Sequence, residues 1–250
     1  LMMGARPEYL SLALIIEEGL PKKTLDKIIN SVSSSAKESG VYIATGDFKV
    51  VEKGACDKIF INTSGIGRLI LRDKLDKNNI KVGDKIIITG NIAEHGLAVL
   101  AGRSNLSSGF SVKSDCQPLS RLLLPLFRTK YRIRFMRDPT RGGLATTLNE
   151  ITSGSDLGVI INEKDIPLSA KCKAACELLG VDPLYLANEG KALIVVPADE
   201  ASRVVSLLRK NRLGLKAAVI GEISAKYRGK VVLKTILGTE RIITMSGAEQ

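Results

Sequence analysis

The chain has 250 residues, is 44% hydrophobic and 25% charged, and carries a formal net charge of +11. That supplies enough apolar matter for one large or two ordinary domains, while apolar runs such as Leu122 to Leu126 and Ile86 to Ile88 fall far short of the roughly 20 residues that span a bilayer. The basic excess is spread over many segments and aromatic residues make up only 4%, a pattern that excludes a stacking platform for nucleic acid and suits a phosphate-bearing ligand.

Taken in chain order, the first residues lack the basic start and long apolar run of a secretory signal and read as the middle of a helix. Apolar side chains at helical intervals from Ser11 to Ser35 predict two helices before the first strand, the second starting near Pro21 and stopped by Gly40. Strands are predicted at 41–44, 58–62, 85–89 and 97–101, with His95 in a hairpin turn between the last two, as a loop residue rather than a catalyst. The Ser and Gly content of 106–114 marks a linker, dividing the chain into domains 1–112 and 113–250. The second domain is predicted to hold helices at 118–127, 144–151, 169–179 and 198–210, with strands at 159–161, 192–196, 217–223, 231–234 and 241–243. The fold class is thus α+β with mixed sheets. The cysteines Cys56, Cys116, Cys172 and Cys176 lack zinc-site spacing or disulfide density and point to a reducing cytoplasm. Cys172 and Cys176, four apart on a helix, are expected to be buried packing residues.

Three stretches can carry chemistry. Arg137-Asp138-Pro139-Thr140-Arg141-Gly142-Gly143 opens a helix, and glycines at a helix start expose N–H groups where the dipole and a nearby Arg favour an anion. A helix capped by Asp138 or Thr140 explains the same letters equally well. Asp47 and Lys49 lie two apart in extended chain, so a carboxylate suited to Mg²⁺ shares a face with an ammonium suited to phosphate. Taken alone, that pair reads rather as a surface ion pair on an edge strand. Asn188 and Glu189 stand at the approach to a strand, where Glu189 is placed to accept a proton and where a turn beginning at Asn188 is the competing reading.

Together with Met3-Gly4-Ala5-Arg6-Pro7, Ile16-Glu17-Glu18-Gly19, Ile61-Asn62-Thr63-Ser64-Gly65-Ile66-Gly67 and Asp182-Pro183-Leu184-Tyr185, these stretches run along nearly the whole chain. Their residues and order resemble the HypE family of hydrogenase maturation proteins, in the superfamily of aminoimidazole ribonucleotide synthetase (PurM), selenophosphate synthetase and thiamine-monophosphate kinase. The resemblance implies a two-domain PurM-like architecture whose N-terminal domains form a barrel in a homodimer, with ATP and Mg²⁺ as cofactors. It implies that HypF supplies a carbamoyl group to a C-terminal cysteine, that the carboxamide is dehydrated to thiocyanate at the expense of ATP, and that the HypC–HypD complex receives the cyanide. Carried over residue by residue, Asp47 holds the metal or triphosphate, and Lys49 neighbours phosphate and carboxamide. Asp138, Thr140, Arg141 and Gly142 meet the phosphoryl group, Asn188 lines the site, and Glu189 accepts a proton. Phe48 stands where the family usually has Thr, and the terminal cysteine and an earlier metal-binding strand are expected outside these 250 residues. The alternatives are another ATP-using enzyme of the superfamily, such as selenophosphate synthetase, or a paralogue that binds nucleotide or partner without catalysis.

Overall fold

The computed structural model describes residues 1–103 and 112–245. The chain forms two compact units, one essentially Met3–Arg72 and one Asp73 onward.

The smaller unit is a three-stranded sheet in the order β2-β1-β3, built from β1 (Ala5–Glu17), β2 (Tyr42–Val51) and β3 (Ile59–Leu69), with α1 (Lys22–Ser39) between β1 and β2. β1 pairs parallel with β2 and antiparallel with β3. The two helices expected before the first strand are therefore one strand and one helix. In Leu10-Ser11-Leu12-Ala13-Leu14-Ile15-Ile16 nearly every residue is apolar, and such a run has no period of its own by which to tell strand from helix. Flanking strands on both edges decide the matter. The resulting two-residue period appears only in the burial, Leu14 and Ile16 being 7% exposed and Ile15 41%. The second predicted helix is α1, and Gly40 ends it in the left-handed conformation, its N–H reaching the carbonyls of Ala36 and Lys37. The connection into β3 is tied down by Glu17, whose carboxylate accepts from the amides of Gly54 and Lys58. Tyr42, Phe48, Phe60, Ile66 and Leu69 project from this sheet into solvent.

The larger unit holds a seven-stranded sheet in the order β10-β9-β6-β8-β4-β7-β5: β4 (Lys85–Ile88), β5 (Phe135–Arg137), β6 (Gly158–Asn162), β7 (Leu193–Val196), β8 (Ala218–Ser224), β9 (Val231–Lys234) and β10 (Glu240–Ile243). All pairings are antiparallel except β6 with β9. Helices cover both faces. Leu97 of α2 (Glu94–Arg103), Leu144 and Leu148 of α4 (Gly143–Thr152) and Cys172 and Cys176 of α5 (Ala170–Leu179) share one core with Ile86 and Ile88. Ile87 points the opposite way along β4, toward the face covered by α6 (Ala198–Arg209), which packs on β4, β8 and α3 (Ser120–Phe127).

Here too the tertiary structure revises the sequence reading. The strand and hairpin expected at 97–101 are part of α2, and His95 sits in its first turn. Ala is a strong helix former, and Glu94 and Arg103 complement the dipole at the two ends. The compact units meet at Arg72 and Asp73, forty residues before the boundary at 112/113 expected from sequence. β4 accounts for this, because it is an interior strand of the larger sheet, paired with both β7 and β8. Most of the expected linker, 106–111, lies outside the described residues. The remaining helices and strands of the larger unit fall within two residues of the positions read from sequence, while β5 was missed.

Candidate functional site

In the larger unit, β7 pairs with β4 on one side and β5 on the other, Ile88 and Arg137 both standing opposite Leu193. The antiparallel pairing brings the chain leaving β4, the chain leaving β5 and the chain entering β7 to one edge of the sheet. Asp138 to Gly142 and Ala187 to Lys191 are thereby neighbours despite the separation in sequence of about fifty residues.

Asn188 joins these segments. It is 1% exposed. Its backbone N–H and its Nδ2 both donate to the Pro139 carbonyl, at 3.2 and 3.0 Å. Nδ2 also donates to the Leu186 carbonyl at 3.1 Å, and Oδ1 accepts from the Ala93 amide at 2.9 Å. Ala93 is fully buried with φ 75°, a left-handed conformation that a non-glycine residue keeps only where its surroundings impose it. Both amide donors of Asn188 are thus spent inside the protein, which makes it a brace for the site rather than a group facing a ligand.

The two glycines that follow Arg141 have an equally local cause. Gly142 and Gly143 are both left-handed, at φ 69° and 62°. A Cβ on Gly143 would stand 2.5 Å from the Leu184 carbonyl and 2.6 Å from that of Leu186, so only glycine lets the start of α4 lie under Pro183–Tyr185. No side chain caps α4: Thr140 Oγ1 donates to Asp138 Oδ2 at 3.3 Å instead of reaching the helix amides. The expectation of a helix capped by Asp138 or Thr140 fails. Gly143, Leu144 and Ala145 are nevertheless buried, so the start of α4 is not an open helix end, and the exposed groups here are side chains of the preceding loop such as Arg141. Arg141 is exposed and its guanidinium has no ion pair or hydrogen bond among the described residues. Arg137, by contrast, is paired with Glu150 of α4 at 3.1 Å and serves the fold.

Glu189 is exposed, and its amide donates to Asp115 Oδ1 at 3.1 Å. Asp115 itself is buried beside Lys191, with Nζ 2.9 Å from Oδ2, and Lys191 also reaches Glu94 Oε2 at 3.4 Å. Sequence reasoning missed Glu94, Asp115 and Lys191. Nothing local in the sequence announced them, because the burial that sets Lys191 and Asp115 apart arises only in the folded chain. They line a cavity of about 440 Å³ together with Ser169, Lys171 and Cys172. His95 Nδ1 lies 2.9 Å from Ser114 Oγ, which also accepts from the Cys116 amide, so the histidine steadies the segment that carries Asp115.

Among the thiols, burial pushes Cys176 up to about 11, with smaller contributions from Cys172 and Asp182. Cys172 is raised by burial, and Cys116 by partial burial followed by the negative charges of Glu189 and Asp115. Cys172 and Cys176 are the packing residues expected of them.

Asp47 and Lys49 belong to the smaller unit, on β2, which lies at the edge of its sheet and pairs with β1 alone among the described residues. Both are exposed on the same face of extended chain, with Phe48 on the other face and 67% exposed. The surface ion pair that the sequence left open does not form: Asp47 Oδ1 accepts from the Phe48 amide at 2.8 Å, and neither Asp47 nor Lys49 has an ion partner among the described residues. No cluster of three or more His, Cys, Asp or Glu side chains suited to a metal occurs among the described residues, and no helix there is long and apolar enough to cross a membrane.

Comparison with known proteins places residues 1–69 in the AIR synthase related protein N-terminal domain and residues 81–234 in the corresponding C-terminal domain. The carbamoyl dehydratase HypE of Cupriavidus necator is 41% identical over 249 residues, a span of 100% of this chain and 71% of that protein. A crystal structure of the hydrogenase maturation protein HypE in complex with ATP superposes with a TM-score of 0.94 at 42% identity, covering 100% of this chain and 76% of the other. A structure of a HypE–HypF complex matches with a TM-score of 0.92 at 43% identity over 98% of this chain and 80% of the other.

Proposed function

The chain belongs to the HypE family within the AIR synthase related proteins, and from that premise we propose that it is an ATP-dependent carbamoyl dehydratase of hydrogenase maturation, converting a cysteine S-carboxamide to a thiocyanate. One observation carries the reading. In a chain that matches carbamoyl dehydratase HypE along its whole length, the Asp138–Arg141 loop and the Asn188–Glu189 segment meet at one edge of the larger sheet.

The chemistry needs three things from the protein. The carboxamide oxygen attacks the γ-phosphorus of ATP and ADP leaves. The two N–H protons are then removed as the C–O bond breaks, and the nitrile and inorganic phosphate remain. The triphosphate must accordingly be neutralised and held, the oxygen aligned with it, and the protons accepted. Arg141 and Lys49, cations without ion partners among the described residues, each bind phosphate in this reading, with Lys49 beside the carboxamide. Asp138, Thr140 and Gly142 shape the phosphoryl pocket, Glu189 accepts a proton, and Asn188 holds the two loops in register. Mg²⁺, when bound, screens the triphosphate charge. A single exposed carboxylate, Asp47, fits that role, because this ion is commonly held by one or two carboxylates with the phosphates themselves completing its shell.

The exposed apolar side chains of the smaller unit suit burial against a second copy, completing a barrel in a homodimer. HypF is the carbamoyl donor, the HypC–HypD complex the cyanide acceptor, and the cytoplasm the compartment in this reading. The test is intact-mass spectrometry of the full-length product of the source gene, incubated with HypF, carbamoyl phosphate and ATP. A carbamoyl adduct that loses one water only when ATP and Mg²⁺ are present is expected, with Asp47→Asn lacking Mg²⁺-dependent ATP binding. An adduct that persists unchanged with ATP refutes the dehydratase assignment.

A further inference from the structure

The residues from Asn188 to Ala192 are held at every position. Asn188 is bonded to Ala93 and Pro139. Glu189 gives its amide to Asp115. Gly190 lies so close to the 115–117 segment that a Cβ there would stand 1.9 Å from the Asp115 carbonyl oxygen. Lys191 puts its ammonium between Asp115 and Glu94, and the Ala192 amide donates to Thr89 Oγ1 at 2.9 Å. The anchors at Asn188, Gly190 and Ala192 use only backbone groups or uncharged side chains, and the Glu189 amide leans on the Asp115 carboxylate. The fifth is an ion pair whose side chains are only 5% exposed at Lys191 and 1% at Asp115.

A buried ion pair is a poor way to gain stability, because desolvating both charges offsets most of their attraction and well-packed apolar residues of the same volume serve as well or better. Its benefit lies in geometry. Asp115 has two oxygens in fixed relation: Oδ1 accepts the Glu189 amide, and Oδ2 faces Lys191 with no hydrogen-bond partner among the described residues beyond that ionic contact. A charged acceptor strengthens the amide bond, and the lysine paired with that carboxylate lies two residues along the same loop. Glu94, itself steadied by Asn91 Nδ2 at 3.2 Å, fixes the lysine from the start of α2. The backbone at Glu189 is thus referenced to α2 and to the 112–117 segment through charges, in addition to the bond of the neighbouring Asn188 to Pro139.

We propose that Lys191 and Asp115 are positioning residues for Glu189: their buried ion pair sets the main-chain position from which the Glu189 carboxylate reaches the reacting group. The proposal rests on the dehydratase reading for its catalytic part and on geometry alone for its structural part.

Two measurements separate these parts. In the full-length protein, Lys191→Met, Asp115→Asn and the charge-neutral combination of both are compared for amide hydrogen exchange over 186–191, for melting temperature, and for single-turnover dehydration of the carbamoylated tail. Faster exchange at the Glu189 amide is expected even in the combined variant, which removes both fully buried charges, leaves the half-buried Glu94 with its Asn91 bond and melts close to the parent. Because a displacement of about 1 Å costs on the order of 100-fold in rate, Lys191→Met is expected to slow turnover at least about 10-fold while the KM for ATP changes little. In a Glu189→Gln background the same substitution is expected to add no further loss, since residues acting through one group are not additive. Unchanged exchange at Glu189 in the combined variant overturns the proposal, as does a loss of equal size in both backgrounds, which would make the pair merely structural. A parent protein that never dehydrates its tail defeats the dehydratase reading while the exchange result still decides the positioning.

Discussion

Replacing Asn188 by Ala should destabilise the larger unit far more than an ordinary polar-to-Ala change. The substitution removes three side-chain hydrogen bonds, to the Ala93 amide and to the carbonyls of Pro139 and Leu186. At about 1 kcal/mol each they account for roughly 3 kcal/mol. The Ala93 amide, in a fully buried residue, is left without its acceptor and adds about 1 kcal/mol or more, whereas the Pro139 carbonyl keeps the Asn188 backbone N–H and recovers part of the loss. A net cost of about 3 kcal/mol lowers the melting temperature of a unit this size by roughly 6 to 12 °C. Thermal unfolding followed by circular dichroism reads this directly. Because the chain has two compact units, separate transitions would show the shift in the larger unit alone. Asn188→Asp is the sharper variant, since it keeps an acceptor for Ala93 but turns an oxygen toward two carbonyls, and it should cost at least as much as Ala. A loss below about 1 kcal/mol in both variants would refute the bracing role and return the Asn188 amide to the list of ligand contacts.

Gly143→Ala meets both a left-handed φ of 62° and a carbonyl at 2.5 Å, and should cost several kcal/mol or prevent folding, as measured by the yield of soluble protein and by urea unfolding. Gly154→Ala, also left-handed but with nothing within 4 Å, should cost only about 1 kcal/mol. Thiol labelling should find Cys116 reactive in the native protein and Cys172 and Cys176 protected, with Cys176 remaining a thiol until the pH approaches 11. Since Glu189 helps to hold the Cys116 thiol above its ordinary range, Glu189→Gln should lower that value and speed Cys116 labelling at pH 8, whereas an unchanged rate would place the two side chains apart.

Much of the larger unit was legible because its helices and strands are separated by polar turns and its helices carry one apolar stripe, as in α6 with Ala201, Val204, Val205 and Leu208 buried. β1 was not, because both of its faces are apolar and its strand character comes from partners on either edge. β5 is three residues long and gains its identity only from pairing with β7, so nothing local announced it. Missing β5 hid the reason why Asp138 and Asn188 are neighbours, although both were singled out from their motifs.

From sequence alone follow the family, the mixed α and β class and the burial of Cys172 and Cys176, and the stretches around Asp47, Asp138 to Gly142 and Glu189 as candidates, because residue types and their order are local properties that the chain carries with it. Tertiary structure alone decided that Asn188 braces rather than binds and that Gly143 serves a close backbone approach. It alone enclosed Lys191 and Asp115 in a shared buried pair. These roles depend on which groups meet across the sheet edge and on how much water is excluded there, and hydrogen-bond capacity is spent or left free only once those neighbours are in place.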